Sequence, residues 1–300
     1  MRYQVTIFTP TYNRAHTLEA CYRSLQRQTI HDFEWLLIDD GSTDGTEALV
    51  NGWLREQNPF RIHFIKLERN EGLTRAYNRA FSLAEGKMFT ACGSDDFMDD
   101  AACERILSWE RSIAGLEGYI GVSGTCSNTK REPIGTTFEA GKEYVDTTYF
   151  GMRKNKIVGD KAEAYYTHLL RQYQYPVFEG EKFVPEGLLC NRIAADGYMI
   201  RWFNDIIRLG EYSEDGLSKN RVQNYLQNYK GLAFTVKEQL QYRNNQLDAV
   251  SKLRWVSLFA FISWHKKVPN QEAAKMIGFN RFLYSILKFL GVTYRRIRGY

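Results

Sequence analysis

Apolar runs of strand length alternate with segments of helical spacing along the first hundred residues. Val5 to Thr9 is a β-branched run that Pro10 ends, and Thr17 to Arg27 repeats apolar positions at Leu18, Cys21, Tyr22 and Leu25, one face of a helix. Phe33 to Ile38 is a continuous apolar run of buried-strand length, closed by Asp39-Asp40-Gly41-Ser42. Thr43 or Asp44 is suited to cap a helix running to about Gln57. Ile62 to Leu67 reads as a third strand and Leu73 to Ala84 as a third helix. Lys87 to Cys92 is a fourth strand, ending in Gly93-Ser94-Asp95-Asp96. This alternation predicts βαβ units, an α/β fold with a mostly parallel central sheet flanked by helices. Residues 115–160 are expected to add strands and a loop, and a helical pattern lies near Lys161–Gln172. A boundary near Asn220 separates a domain of residues 1–219 from a helical extension, residues 220–300.

In such a sheet ligands bind at the carboxyl ends of the strands. The polar clusters sit there: Thr9 to Asn13, including Pro10 and Tyr12, then Asp39-Asp40, Arg69-Asn70 and Ser94 to Asp96. Adjacent carboxylates such as Asp95 and Asp96 repel one another unless a cation lies between them. Mg²⁺ and Mn²⁺ take hard oxygen ligands and share one or two carboxylates with substrate phosphates. A helix N-cap is the alternative for a bare Asp-Asp pair; the three other polar strand ends favour the metal. Asp40 is suited to accept hydrogen bonds from a nucleobase or ribose, with Gly41 and Ser42 as turn residues. Thr9 is a further contact for a base, through its hydroxyl or its backbone. Arg69 and Asn70 precede a helix whose amino end favours an anion. Glu181 and Glu179 are candidates for a general base, which a poorly nucleophilic hydroxyl requires. Phe178, Phe183, Val184 and Pro185 around them would partly desolvate these acids.

The stretches Val5-Thr6-Ile7-Phe8-Thr9-Pro10-Thr11-Tyr12-Asn13-Arg14 and Trp35-Leu36-Leu37-Ile38-Asp39-Asp40-Gly41-Ser42-Thr43-Asp44-Gly45-Thr46 resemble the family 2 nucleotide-sugar glycosyltransferases of GT-A (Rossmann-like) fold. Asn70-Glu71-Gly72, Ala76, Asn78, Gly86 and Ser94-Asp95-Asp96 extend the resemblance across roughly the first hundred residues. The resemblance implies that Thr9 and Asp40 bind the base, usually uridine, that Asp95 contacts the nucleotide sugar and that Asp96 binds the metal. It implies that Glu181, after Gly180, is the catalytic base. Many members carry an aspartate two places before Asp95, where this chain has Gly93. The expected activity is inverting, Mg²⁺- or Mn²⁺-dependent sugar transfer to a glycan or lipid-linked acceptor in surface polysaccharide assembly. A nucleotidyltransferase is a rival, but the Gly-rich basic phosphate loop it needs after the first strand is missing. A catalytically idle binding subunit is a second rival, resting on Gly93.

Charge changes this picture only at one end. From Ser251 to Tyr300 there are ten Lys or Arg against the single acid Glu272, whereas the first 250 residues are net acidic. Trp255 to Trp264 lacks any charge but is shorter than the about 20 residues a bilayer span needs. Arg281-Phe282-Leu283-Tyr284-Ser285-Ile286-Leu287-Lys288-Phe289-Leu290, followed by Arg295, Arg296 and Arg298, suits a helix lying on an anionic membrane. Two helices packed on the body, with basic faces outward, are the alternative. Five cysteines without C-x-x-C spacing argue against a zinc site or disulfide framework and for a reducing compartment. The first residues read as a strand rather than a signal peptide. The expected location is cytoplasmic, at the inner face of the membrane, with no nucleic-acid partner.

Overall fold

The computed structural model describes residues 2–211, 220–243 and 246–297. The chain divides into two units, residues 1–174 with 196–213, and residues 175–195 with 214–300. The first unit alternates strands and helices: β1 (Tyr3–Thr11), α1 (Leu18–Gln26), β2 (Phe33–Asp39), α2 (Thr46–Trp53), β3 (Arg61–Lys66), α3 (Leu73–Leu83) and β4 (Gly86–Ala91). There follow β5 (Asp96–Met98), α4 (Ala102–Ile113), β6 (Tyr119–Ser127), β7 (Val145–Thr147), β8 (Lys161–Tyr166), α5 (Thr167–Leu170) and β9 (Met199–Gly210).

The strands form one sheet in the order β3-β2-β1-β4-β8-β6-β9-β5, with β7 also on β9. β1 to β4, β6 and β9 run one way, and β5, β7 and β8 run against them. The mostly parallel α/β sheet is therefore as expected. β2 is buried along its whole length, as its unbroken apolar run requires. Trp35 fills the core beside it, stacked on Tyr22 of α1, which stacks in turn on Trp53 of α2. Pro10 does not end β1: it pairs in register with Ile38, and the strand continues to Thr11.

Two expectations change. Lys161-Ala162-Glu163-Ala164-Tyr165-Tyr166 reads as helix because Lys, Ala and Glu favour helices, yet it is strand β8, hydrogen-bonded between β4 and β6. Ala162 and Ala164 are fully buried there, where tertiary pairing overrides propensity. Residues 175–195, placed by the sequence in the first domain, belong to the second unit. That unit contains α6 (Gly187–Ala195), α7 (Arg221–Gln227), α8 (Tyr229–Gln241), α9 (Ala249–His265), α10 (Asn270–Met276) and α11 (Arg281–Ile297). Leu232, Val236, Val256, Phe259, Ile262, Ala273 and Tyr284 form its core. Asn228 Oδ1 accepts from the Lys182 and Phe183 amides at 2.7 and 3.0 Å, and Arg192 pairs with Glu238 at 2.5 Å, which fastens 175–195 to α8. The charge-free run Trp255–Trp264 supplies the α9 side of this core. No helix among the described residues is long and apolar enough to cross a membrane.

Candidate active site

The carboxyl ends of β1 to β4 lie along one edge of the sheet, and backbone–side-chain hydrogen bonds tie their loops together. The Asn13 amide donates to Ser42 Oγ at 2.8 Å, and the Thr43 amide donates to Asn13 Oδ1 at 2.9 Å, joining the loops after β1 and β2. The Asp40 amide donates to the Thr11 carbonyl at 2.8 Å. Gly41 has φ +77°, and a Cβ there would stand 2.5 Å from the Arg69 carbonyl carbon. Only glycine lets the loops after β2 and β3 touch backbone to backbone. Asp40, 6% exposed, then reaches across: its two oxygens accept the Glu71 and Gly72 amides, each at 2.7 Å, at the amino end of α3. Asp40 and Asn70 are thereby brought side by side.

Thr9 is fully buried, and its hydroxyl accepts the Trp35 indole N–H at 2.9 Å. Pro10 is half-buried, and Tyr12 and Arg69 are exposed. Three side-chain atoms that sequence reasoning passed over, or singled out only by residue, lie here without a hydrogen-bond partner: Thr11 Oγ1, Asp39 Oδ2 and Asn70 Oδ1. All are buried acceptors at the ends of β1, β2 and β3, and such atoms are costly unless a ligand group meets them.

Asp95 and Asp96 follow β4. The helix-cap alternative falls away, because Asp96 opens strand β5 and pairs with Gly210 of β9. Asp99 instead closes a turn just before α4, its Oδ1 accepting the Ala101 amide at 3.2 Å, and no side chain caps that helix. Gly93 sits between the two carboxylates. A Cβ placed on it would lie 3.1 Å from Asp95 Oδ1 and 3.0 Å from Asp96 Oδ2, so both oxygens face one small space. The other Asp96 oxygen rests on Gly210, 1.9 Å from where a Cβ would stand. Burial pushes the Asp96 carboxyl above its ordinary range; Arg208, with Nε 3.6 Å from Oδ2, pulls it down, and Asp95 raises it further. Arg208 is held by the carbonyls of Ala91 and Lys161 at 3.2 and 3.3 Å. Arg208 and Gly210 carry no local sequence signal, being more than a hundred residues from the aspartates they meet.

These residues fit a divalent ion. Among the described residues no cluster of three metal-ligating side chains exists, but Mg²⁺ and Mn²⁺ bind through one or two carboxylates when substrate phosphates complete the shell. Asp95 Oδ1 and Asp96 Oδ2, each about 3 Å from one point beside Gly93, would supply two such carboxylates.

Glu179 and Glu181 lie in the second unit. Glu179 is exposed. Glu181 is 7% exposed, and its two oxygens accept the Lys230 and Gly231 amides, each at 2.8 Å, at the amino end of α8. Its desolvation comes from α8 as well as from the neighbouring apolar residues.

Residues 6–113 match the family model described as glycosyl transferase family 2. Over that stretch the chain is similar to this family. Its relatives include the putative teichuronic acid biosynthesis glycosyltransferase TuaG of Bacillus subtilis, 34% identical over 38% of this chain and 46% of TuaG. The chondroitin synthase of Escherichia coli is 36% identical over 37% of this chain and 16% of the synthase. The chain thus spans less than half the length of these curated relatives. Over nearly the whole chain the fold resembles that of S. aureus TarS 1-349 in complex with UDP, with a TM-score of 0.62, 14% identity and coverage of 98% of this chain and 91% of TarS. Mannosyltransferase PcManGT from Pyrobaculum calidifontis, in complex with GDP-Man and Mn²⁺, gives a TM-score of 0.58 at 15% identity, covering 98% and 88%. The stretch similar to family 2 thus lies in an α/β sheet of GT-A type, and carboxyl-terminal helices follow.

Proposed function

We propose that the chain is an inverting glycosyltransferase that moves a sugar from a nucleoside diphosphate donor, UDP-linked by preference, to a glycan or lipid-linked acceptor in surface polysaccharide synthesis. The observation that carries this reading is the convergence of Asp95 Oδ1 and Asp96 Oδ2 beside Gly93, at the sheet edge where β1 to β3 end in buried acceptors. TuaG and the chondroitin synthase, by their names, support a polysaccharide product. UDP in TarS supports the donor class.

In this reading Thr11, Asp39, Asp40 and Asn70 accept from the N–H and hydroxyl groups of base and ribose, with Thr9 acting through its backbone because its hydroxyl serves Trp35. Pro10, Tyr12 and Arg69 flank the nucleotide. Asp96, with Asp95, would hold Mg²⁺ or Mn²⁺, which when bound neutralises charge on the departing diphosphate. Glu181 takes the acceptor hydroxyl proton as the oxygen–anomeric carbon bond forms and the bond to the diphosphate oxygen breaks. The Lys230 and Gly231 amides orient this carboxylate. The enzyme is assigned to the cytoplasmic side of the membrane.

A panel of UDP-, GDP- and dTDP-sugars, assayed for hydrolysis and transfer with and without Mn²⁺, tests the reading. We expect nucleoside diphosphate release that Asp96→Ala abolishes. Release of pyrophosphate, or calorimetry showing no metal-dependent nucleotide binding, would overturn it.

A further inference from the structure

Helix α11 carries large apolar side chains on two faces, one of them packed in the core of its unit. Tyr284 is fully buried, its hydroxyl 2.6 Å from Ser263 Oγ and its ring against Phe259, and Leu287 packs on the same core. Phe282, Leu283, Ile286 and Phe289 point elsewhere, with Phe282 73% exposed. Phe282, Ile286 and Phe289 follow one another at i, i+4 and i+7, a continuous stripe along the helix. A run of large apolar side chains on the surface marks an interaction site rather than chance exposure.

Charge selects the occupant. Exposed Lys266, Lys267, Lys275 and Arg281 belong to the same unit, and Glu272 is the only acid in the last fifty residues. Lys288 is turned inward to Asn270 Oδ1 at 2.9 Å, which leaves the stripe apolar. A second copy seated on this face would bring like charges together, whereas an anionic lipid surface offsets them. No helix among the described residues is long and apolar enough to cross a bilayer, but a helix of this kind lies in the interface with its rings among the acyl chains.

We propose that the Phe282–Phe289 stripe of α11 docks the protein in the plane of an anionic phospholipid surface. The inference does not depend on the donor-site assignment. Flotation of the full chain with mixed phosphatidylglycerol–phosphatidylcholine vesicles, against pure phosphatidylcholine, reads it directly. Binding is expected only to the anionic vesicles, and Phe282→Ser/Ile286→Ser is expected to lower the partition coefficient by about tenfold or more. Both side chains are exposed, and an unchanged melting temperature and circular dichroism spectrum show that the variant keeps its fold. Three results would overturn the proposal: no binding to anionic vesicles at low salt, equal binding by the double variant, or wild-type self-association in light scattering that the variant loses while vesicles are ignored.

Discussion

Gly210→Ala is the sharpest probe of the aspartate pair. The added Cβ would stand 1.9 Å from Asp96 Oδ1 and 2.9 Å from Asp96 Cγ, whereas real Cβ contacts are essentially never shorter than 3.0 Å. The carboxylate must therefore move by about 1 Å or more. The obstacle is the end of a side chain and not backbone, so Asp96 relieves it by rotating and the β5–β9 pairing persists. Alanine also costs less backbone entropy than glycine in a strand. Stability should hold while the carboxylate leaves its place. Misplacing a reacting group by about 1 Å costs on the order of 100-fold, or about 2.7 kcal/mol of transition-state stabilisation.

The assay is kcat/KM for whichever nucleotide sugar the panel identifies, with a Mn²⁺ titration and a melting curve on the same preparation. A fall of about 100-fold, a higher Mn²⁺ requirement and an unchanged Tm are expected. Gly52→Ala in α2 is the control, since a Cβ there meets nothing within 4 Å. Full activity in Gly210→Ala would refute the placement of Asp96 in the site. Equal collapse of Tm and activity would show that Gly210 serves the sheet and not the carboxylate.

Other outcomes follow from the same geometry. Thr9→Val leaves the buried Trp35 indole N–H unpaired and should cost about 1–3 kcal/mol of stability with the donor KM unchanged; a raised KM at constant Tm would restore the hydroxyl to the ligand. Glu181→Gln should reduce kcat by about 100-fold or more, while Glu179→Gln leaves it intact; lost stability with kcat preserved would reduce Glu181 to an anchor for α8. Asp248 caps α9 by accepting from the Ser251 hydroxyl and amide, which hold its carboxyl below the ordinary 3.8. Its contribution is therefore complete above that value and lost as pH falls through the lowered one. The urea-midpoint gap between wild type and Asp248→Ala should be constant near neutrality and close below pH 3.8; a gap independent of pH would refute the cap.

What could be read in advance tracks the range of the interaction that decides each feature. β1 to β4 and their helices were legible because hydrophobic period and strand-end polarity are local. β8 was not, because nothing in Lys161–Tyr166 announces the two strands that flank it. The second unit was misdrawn for the same reason: residues 175–195 are claimed by Asn228, Lys230, Gly231 and Glu238, forty to fifty positions onward. Likewise Trp255–Trp264 and α11 are both rich in aromatic and aliphatic side chains, but only packing separates a buried face from an exposed one.

The aspartate pair shows the limit most clearly. Asp95-Asp96-Phe97-Met98-Asp99-Asp100 offers four acids, and composition alone cannot divide cap from ligand. Distant residues bear on the proposed ligand: Gly210 gives Asp96 room on one side, and Arg208 supplies part of the counter-charge on the other. Gly93 then has a different meaning from a lost acid. With a third carboxylate there, three negative groups would crowd one small space; with glycine, two face it and Arg208 offsets one. A divalent ion held by so few protein charges depends on the donor's phosphates for the rest of its shell, which predicts weak Mn²⁺ binding alone and strong binding with UDP. Calorimetry showing equally tight Mn²⁺ binding with and without nucleotide would contradict that account.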